Sequence, residues 1–218
     1  MTLALYSHPF AMYCWKPLIA LHERELAFEA KLVEDRTELA ELWPPASIPV
    51  LVDDGAVIPE SSSIVEYLDR HGQAPPILPA DPDLALQARI WDRVIDGYVT
   101  TPVQKIVGDA LRPADAKDPE GVAQAHATLD LAYLTLERQL DGRGPDGWLA
   151  GEDFTLADCS AAPALHYADV LHELDRSTNR ALGAYYDRLL ERASVAHVID
   201  EARPFRHFFP LPWPAHVD

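Results

Sequence analysis

The segment "ASIPVLVDDGAVIPESSSIVEYL", residues 46–68, carries the clearest structural pattern in the chain. Two apolar runs flank Asp53-Asp54-Gly55, and apolar runs around an Asp-Gly pair are typical of a β-hairpin. The serines 61–63 then lead into apolar residues such as Ile64 and Leu68, which recur at helical spacing. The segment therefore predicts a hairpin followed by a short helix. Its last turns place Ser63 and Glu66 at the spacing of a capping box.

The residues before this segment predict a strand, a helix and a second strand. Residues 3–7 and 28–34 alternate in the manner of strands, and residues 13–26 have an apolar helical face. Within that helix Pro17 is expected in the first turn, where its missing N–H costs no hydrogen bond. Together with the hairpin, these elements predict a small α/β domain over residues 1–75.

The rest of the chain reads as helical. Proline-rich residues 76–83 predict a linker, and residues 84–218 predict an all-helical domain that ends in an aromatic, proline-rich tail. We expect this tail to pack back on the body of the protein, because it is too aromatic to be left in water. The helices are expected over residues 84–111, 119–140, 155–173, 178–194 and 195–202.

Composition excludes several classes of function. The chain has 218 residues, 48% of them hydrophobic, and a formal net charge of −17. Nucleic acids and anionic membranes reward lysine and arginine, so neither is expected as a partner. The two cysteines, Cys14 and Cys159, do not form a disulfide framework, and we expect a cytoplasmic protein. The histidines show neither HxH nor HExxH spacing, so no metal site is expected.

Two motifs in this order resemble those of the soluble glutathione S-transferase family. Residues 46–68 are similar to the family's glutathione-binding segment. Residues 151–163, "GEDFTLADCSAAP", are similar to its helical-domain signature, in which Thr155 and Asp158 cap a buried helix. The resemblance implies a thioredoxin-like N-terminal domain followed by an all-α domain. It also implies glutathione as cosubstrate, a hydrophobic small-molecule electrophile and a homodimer.

The resemblance assigns the glutathione-binding residues one by one. The bond before Pro49 would be cis, which would turn the backbone of Ile48 toward the cysteinyl backbone of glutathione. Ser61, at a helix start, would hold the γ-glutamyl carboxylate, and Glu60 would accept from its amino group. Phe10, Ala11 and Ser47 complete the predicted glutathione-binding set. Ser47 replaces a frequent lysine of the family, so Arg36 or Trp43 is a candidate for the glycyl carboxylate.

The residue that activates the glutathione thiol is left open by the sequence. Family members commonly carry a serine or cysteine after a segment similar to "SHPF", and here Ala11 occupies that place. The alternatives are Tyr13, Ser7 and Cys14, of which one is expected to act, or the backbone amides alone. Tyr6 alternates with Ser7 and is expected to face the core.

Three functions remain open at this point. The first is a glutathione transferase that activates the thiol for attack on a hydrophobic electrophile. The second is a glutathione-dependent thiol reductase, acting through Cys14, or an isomerase. The third is a non-catalytic glutathione-binding scaffold. For the transferase we expect the electrophile pocket between the two domains. Its expected aromatic walls are Phe10, Tyr98, Tyr167, Phe208, Phe209 and Trp213.

Overall fold

Four strands form one mixed sheet in the computed structural model, which describes residues 3–217. The strand order is β2-β1-β3-β4; β2 runs parallel to β1, and the other neighbouring pairs are antiparallel. The strands are β1 (Leu3–Ser7), β2 (Phe28–Leu32), β3 (Val50–Asp53) and β4 (Ala56–Pro59).

The hairpin that the sequence predicts is confirmed. Strands β3 and β4 are joined at Asp54 and Gly55, whose φ angles are 46° and 88°. Positive φ at both central residues is the requirement of a type I′ turn, which an Asp-Gly pair satisfies easily. The peptide bond between Ile48 and Pro49, just before β3, is cis.

Three helices belong to the same domain: α1 (Met12–Glu23), α2 (Thr37–Leu42) and α3 (Ser61–Leu68). The short helix α2 was not expected. Pro17 lies in the interior of α1 rather than in its first turn, because α1 begins at Met12, five residues earlier. The proline removes one hydrogen bond close to the helix start, and the cost is limited to that turn.

Two further details differ from the sequence predictions. Helix α3 begins at Ser61 with Glu60 in the N-cap position, so Ser63 and Glu66 lie inside the helix and form no capping box. In β1 the buried side chains are Leu3, Leu5 and Ser7, whereas Tyr6 is only half-buried. Tyr6 is thus not a core residue, because the alternation of the strand gives the core face to the odd-numbered positions.

The helical domain follows the expected order of elements. The predicted helix over 84–111 is divided, because Asp96–Thr100 form a wider π-helical turn. The remaining helices lie within a few residues of the predicted bounds. The helices are α4 (Pro82–Ile95), α5 (Thr101–Ala110), α6 (Pro119–Asp141), α7 (Leu156–Leu171), α8 (Arg180–Glu191) and α9 (Ala193–Ala202).

Helix α7 forms the centre of the helical domain. Nearly all of its side chains are buried, Cys159 among them. Thr155 and Asp158 form the predicted capping box, in which Asp158 accepts from the Thr155 amide at 2.8 Å. Asp158 also accepts from the Tyr185 hydroxyl at 2.7 Å, which connects α7 to α8. The motif therefore has a structural role, because its polar groups satisfy one another inside the core.

A buried polar cluster joins the two domains. The Lys16 ammonium of α1 donates to Asp92 of α4 at 2.7 Å, to Ser62 of α3 at 3.1 Å and to Asp96 at 3.1 Å. Ser160 of α7 donates to the same Asp92 carboxylate at 2.5 Å. The Lys16 and Asp92 side chains are 2% and 1% exposed, so this ion pair is isolated from solvent.

The architecture is thus a thioredoxin-like domain with a four-stranded sheet, followed by a helical domain. Within residues 3–217, none of the helices combines the length and apolar character that crossing a membrane requires.

The first prediction concerns the buried cluster. Lys16→Met removes the ammonium and leaves the Asp92 carboxylate buried without its main counter-charge. We expect the free energy of unfolding to fall by about 3–5 kcal/mol, measured by urea titration. Arg89→Met is the control, because Arg89 of α4 pairs with Glu66 of α3 at 2.8 Å but in an exposed position. It should cost less than about 1 kcal/mol. Equal losses would contradict the importance of the buried pair.

Candidate functional site

A polar pocket of about 610 Å³ lies between α3 and the start of the helical domain. It brings together six of the predicted site residues, which are Tyr13, Ser47, Ile48, Pro49, Glu60 and Ser61. The helical domain contributes the far wall. Its residues in this wall are Arg93, Asp96, Gly97 and Thr101.

The N-terminus of α3 forms one wall of this polar pocket. Ser61 is buried at the first helical position, and the first amides of a helix have no intrahelical partner. The helix dipole adds a partial positive charge there, so the wall favours a carboxylate. Glu60, just before it, has a φ of 69°, a region that is unfavourable for residues other than glycine. A strained backbone conformation persists only where the surrounding structure holds it in place, and such residues are concentrated at functional sites.

The opposite wall was not predicted from the sequence. Arg93 is exposed and supplies a positive charge to the polar pocket, although the whole chain is strongly negative. Asp96 is mostly buried, and this burial raises the pKa of its carboxyl group although the Lys16 ammonium opposes the shift. No local sequence signal marks these residues. They lie about thirty positions after Ser61 in a different domain, and only packing brings them to the site.

An apolar pocket of about 570 Å³ adjoins the polar one. One side of this pocket is formed by Val103 and Val107 of α5 and by Leu111, which follows the helix. The other side is formed by Phe10 and the C-terminal tail. Of the expected aromatic walls, Phe10, Tyr167, Phe208 and Phe209 line the pocket. Tyr98 does not; its side chain is 57% exposed. Trp213 lies behind the wall, packed against Phe10 and Phe209.

The aromatic tail packs on the body of the protein, as the sequence predicts. The Trp213 ring centroid lies 5.3 Å from that of Phe209 and 6.0 Å from that of Phe10. The Tyr167 hydroxyl donates to the backbone carbonyl of Phe10 at 3.0 Å. These contacts fix the loop before α1 against α7 and the tail, so three distant parts of the chain build one apolar wall.

The two pockets share Tyr13, Ser47 and Ile48. Tyr13 is half-buried near the start of α1, with the Lys16 ammonium 6.0 Å from its ring centroid. Burial, followed by the charges of Asp96 and Glu60, raises the pKa of Tyr13 to about 12. At neutral pH its hydroxyl is therefore protonated and can donate a hydrogen bond.

The other two candidates for thiol activation lie elsewhere. Cys14 is fully buried on the core side of α1, and burial raises the pKa of its thiol to about 12. Ser7 is 5% exposed, and neither it nor Cys14 lines either pocket. Ala11 lies in the wall of the apolar pocket. The structure thus brings only Tyr13, of the three candidate side chains, to the place where the pockets meet.

The two candidates for the glycyl carboxylate occupy different positions. The Trp43 indole N–H donates to the Ser47 hydroxyl at 3.2 Å, which fixes Ser47 at the pocket edge. Arg36 lines the apolar pocket near Ser47 with an exposed side chain. Arg36 is therefore the cation that lies within reach of this edge.

The described residues also contain one group of side chains with metal-ligand chemistry. His22, His197 and Glu201 lie together on the surface at the end of α1, and none of them lines the two pockets. The spacing of these residues in the sequence does not indicate the group, because His22 and His197 are far apart along the chain. The pair His197 and Glu201, four residues apart on one helix, was the only local signal.

Comparison with known proteins identifies the family of the chain. Residues 10–71 match the model of the glutathione S-transferase N-terminal domain, and residues 119–188 match that of the C-terminal domain. A glutathione S-transferase-like protein of a Fusarium species is 30% identical over 184 residues, with 81% of each chain covered. The chain belongs to the glutathione S-transferase family.

Two further relatives show how broad the similarity is. A probable maleylacetoacetate isomerase of Caenorhabditis elegans is 30% identical over 171 residues, covering 76% of this chain and 78% of the relative. A glutathione S-transferase of Methylobacterium radiotolerans, whose crystal structure is a complex with glutathione sulfonate, superposes with a TM-score of 0.79 at 30% identity. The match covers 91% of this chain and 95% of that one.

The burial of the cysteines leads to the second prediction. Burial raises the pKa of both thiols, those of Cys14 and Cys159, so neither is a reactive thiolate at pH 8. Mass spectrometry after treatment of the native protein with iodoacetamide should show no adduct within the time in which free cysteine reacts completely. The urea-unfolded chain should gain two adducts. Rapid labelling of Cys14 in the native protein would contradict this burial and restore it as a nucleophile.

Proposed function

We propose that the protein is a glutathione transferase that joins the glutathione sulfur to a hydrophobic electrophile. The observation that carries this proposal is the meeting of a polar pocket and an apolar pocket at Tyr13. A tripeptide with charged ends suits the first pocket and an apolar acceptor suits the second. The place where they meet is where sulfur and electrophile would react.

Glutathione binding in the polar pocket is supported by the charges around it. The γ-glutamyl carboxylate would accept from the Ser61 hydroxyl and the first amides of α3, with Arg93 adding a favourable charge. Its amino group would be held by the Glu60 carboxylate. The backbone of Ile48 would pair with the cysteinyl residue, and Arg36 would attract the glycyl carboxylate. The glutathione sulfonate complex of the 30% identical relative agrees with this class of ligand.

Tyr13 is the side chain that we assign to activation of the thiol. The glutathione S–H loses its proton to solvent, and the Tyr13 hydroxyl donates a hydrogen bond to the resulting thiolate. A donor that stabilises the charged form lowers the pKa of the thiol. The thiolate then forms a carbon–sulfur bond with the electrophile, whose leaving group departs with the electron pair of the broken bond. The start of α1 lines the apolar pocket through Met12 and Tyr13, and the positive end of the helix dipole there would add to this stabilisation.

The apolar pocket sets the class of the second substrate. Its walls combine Phe10 with Val103, Val107 and Leu111, and the tail adds Phe208. An aromatic or branched apolar electrophile would displace water from these surfaces, and its burial favours binding by about 25 cal/mol per Å². The product would carry the same apolar group on glutathione.

A glutathione-dependent isomerase is the second candidate function. The 30% identical relative named as a probable maleylacetoacetate isomerase favours it, since an isomerase also needs a thiolate at the junction of the pockets. The reductase hypothesis finds no support in the position of Cys14, which is buried in the core.

Assembly and location complete the proposal. We propose a homodimer, because α4 and α6 expose large apolar side chains to solvent in the single chain. These residues are Leu84, Leu86, Ile90, Leu131 and Leu134. Exposed apolar patches of this kind are typical of protein interfaces. The free thiols of Cys14 and Cys159 support a cytoplasmic location.

The third prediction tests the binding half of the proposal. Ser61→Ala removes a donor to the γ-glutamyl carboxylate, and a hydrogen bond to a charged group contributes about 1.5–3 kcal/mol. Calorimetry should show glutathione affinity reduced by about tenfold or more. Ser177→Ala is the control, because Ser177 is an exposed serine that lines neither pocket. Unchanged affinity in Ser61→Ala would contradict the assigned role of the hydroxyl.

The fourth prediction tests activation. Ultraviolet absorbance of the bound thiolate, titrated against pH with S-methylglutathione as blank, should give a thiol pKa below that of free glutathione. Because the thiolate is the reactive form, turnover should fall as pH decreases through this pKa. Tyr13→Phe should raise the pKa by about one unit, which corresponds to about 1.4 kcal/mol. In the pH profile of kcat/KM for a nitro-substituted aryl chloride, the acid limb should move to higher pH by the same amount as the thiol pKa.

The control for this experiment is Tyr6→Phe. The Tyr6 hydroxyl lies 3.5 Å from Glu38 and lines neither pocket, so its loss should leave the thiol pKa unchanged. An unshifted acid limb in Tyr13→Phe would exclude Tyr13 as activator and assign the role to the α1 amides. A bound thiol with the pKa of free glutathione would overturn the transferase proposal and favour a glutathione-binding scaffold.

A further inference from the structure

His22, His197 and Glu201 form a cluster where the C-terminal end of α1 meets α9. His22 belongs to the thioredoxin-like domain, whereas the other two residues lie one turn apart in the helical domain. One ring nitrogen or carboxylate oxygen from each residue lies within 4.8 Å of the other two. The cluster is separate from the glutathione site, since it shares no residue with either of the pockets described above.

The distances in this cluster are close to those of a metal centre. His197 Nε2 lies 3.4 Å from Glu201 Oε1. Two ligands that bind tetrahedral zinc at about 2.0–2.1 Å are about 3.3 Å apart. The His22 and His197 rings meet edge to face with centroids 4.5 Å apart, so a small movement of exposed side chains brings their nitrogens to one ion.

The state of His22 is the second observation that points to a ligand. Its Nε2 atom is buried and has no hydrogen-bond partner among the described residues. A buried polar atom without a partner is costly, and native proteins rarely leave one unexplained.

The charges around the cluster favour a cation. An open cleft beside it is lined by Glu23, Glu25 and Ser194 together with the two histidines. The Glu23 carboxylate is paired with the Arg192 guanidinium at 2.6 Å, so Glu25 remains as the nearby acidic group in this cleft. The net charge of −17 adds a long-range attraction. His197 and Glu201 are each about half-exposed, so an ion from solvent can reach them.

We propose that His22, His197 and Glu201 bind a zinc ion that links the two domains. Two imidazoles and one carboxylate are a ligand set that suits zinc, and water would complete the coordination. The ion would connect α1 to α9, a helix that takes no part in the buried Lys16 cluster. Its role is to hold the domains together, and it takes no part in the proposed transfer reaction.

A second histidine pair in the chain provides the contrast. His126 Nδ1 lies 3.1 Å from His172 Nδ1, and His172 Nε2 contacts Asp130 at 2.8 Å. Both nitrogens of His172 are therefore engaged with protein groups. This pair has the same residue types but lacks an unpartnered buried nitrogen, so it is the internal control for histidine content.

The fifth prediction is the binding of zinc itself. Protein treated with a chelator and titrated with zinc sulfate in a calorimeter should bind one ion per chain. Excess magnesium should not displace the ion, because magnesium prefers oxygen ligands. Zinc should also raise the midpoint of thermal unfolding, since an ion that binds only the folded state stabilises it. None of these measurements depends on glutathione, so the result is independent of the proposed function.

Variants identify the ligands. His197→Ala and Glu201→Gln alter exposed side chains, and each should weaken zinc binding by at least about tenfold and abolish the thermal shift. His126→Ala should behave as the unaltered protein. In the cobalt-loaded protein, the visible absorption bands of tetrahedral coordination should disappear in His197→Ala. Absence of zinc binding, or equal affinity in the unaltered protein and both ligand variants, would overturn the proposal.

Discussion

The arrangement of the two domains depends on the hydrogen bonds and ion pairs that the buried Lys16 ammonium makes. The ammonium contacts the Ser62 hydroxyl of α3, the Asp92 carboxylate of α4 and the Asp96 carboxylate of the π-helical turn that follows α4. A charge in this position is stable only while its partners remain in place, because desolvation of an unpaired ion costs several kcal/mol. The cluster therefore makes one relative orientation of the domains much lower in free energy than slightly rotated orientations, in which these contacts would be broken. Apolar packing alone discriminates less sharply, since it is not directional.

This constraint reaches the candidate site directly. Ser62, which the Lys16 ammonium contacts, follows Ser61 at the start of α3, and Asp96 lines the polar pocket. The contacts that join the domains thus also fix the distance between the start of α3 and Arg93 on α4. A ligand with charges at its ends therefore binds to two walls whose separation is already fixed before it binds. Less of the binding free energy is then lost in ordering the protein.

Two adjacent residues near the start of α1 have different surroundings. Tyr13 and Cys14 are adjacent, yet Tyr13 faces the junction of the pockets and Cys14 faces the core. Successive residues on a helix are about 100° apart, so neighbours point in different directions. With Ala11 in the apolar wall, Tyr13 is the one of the three candidate side chains that lies at this junction. The pKa of about 12 for Tyr13 keeps this donor protonated throughout the physiological range.

The sequence by itself determined the hairpin, the order of the strands and of most helices, and the helical-domain capping box. Each of these rests on neighbours in the chain: an Asp-Gly turn, apolar periodicity, or a Thr155–Asp158 spacing. The sequence did not determine that Ser7 and Cys14 are buried, that Arg93 faces the polar pocket, or that His22 meets His197. These facts depend on packing between residues that are distant along the chain, and local pattern carries no information on which faces meet. Only the tertiary structure decides them, because burial and long-range contact are set by the whole core at once.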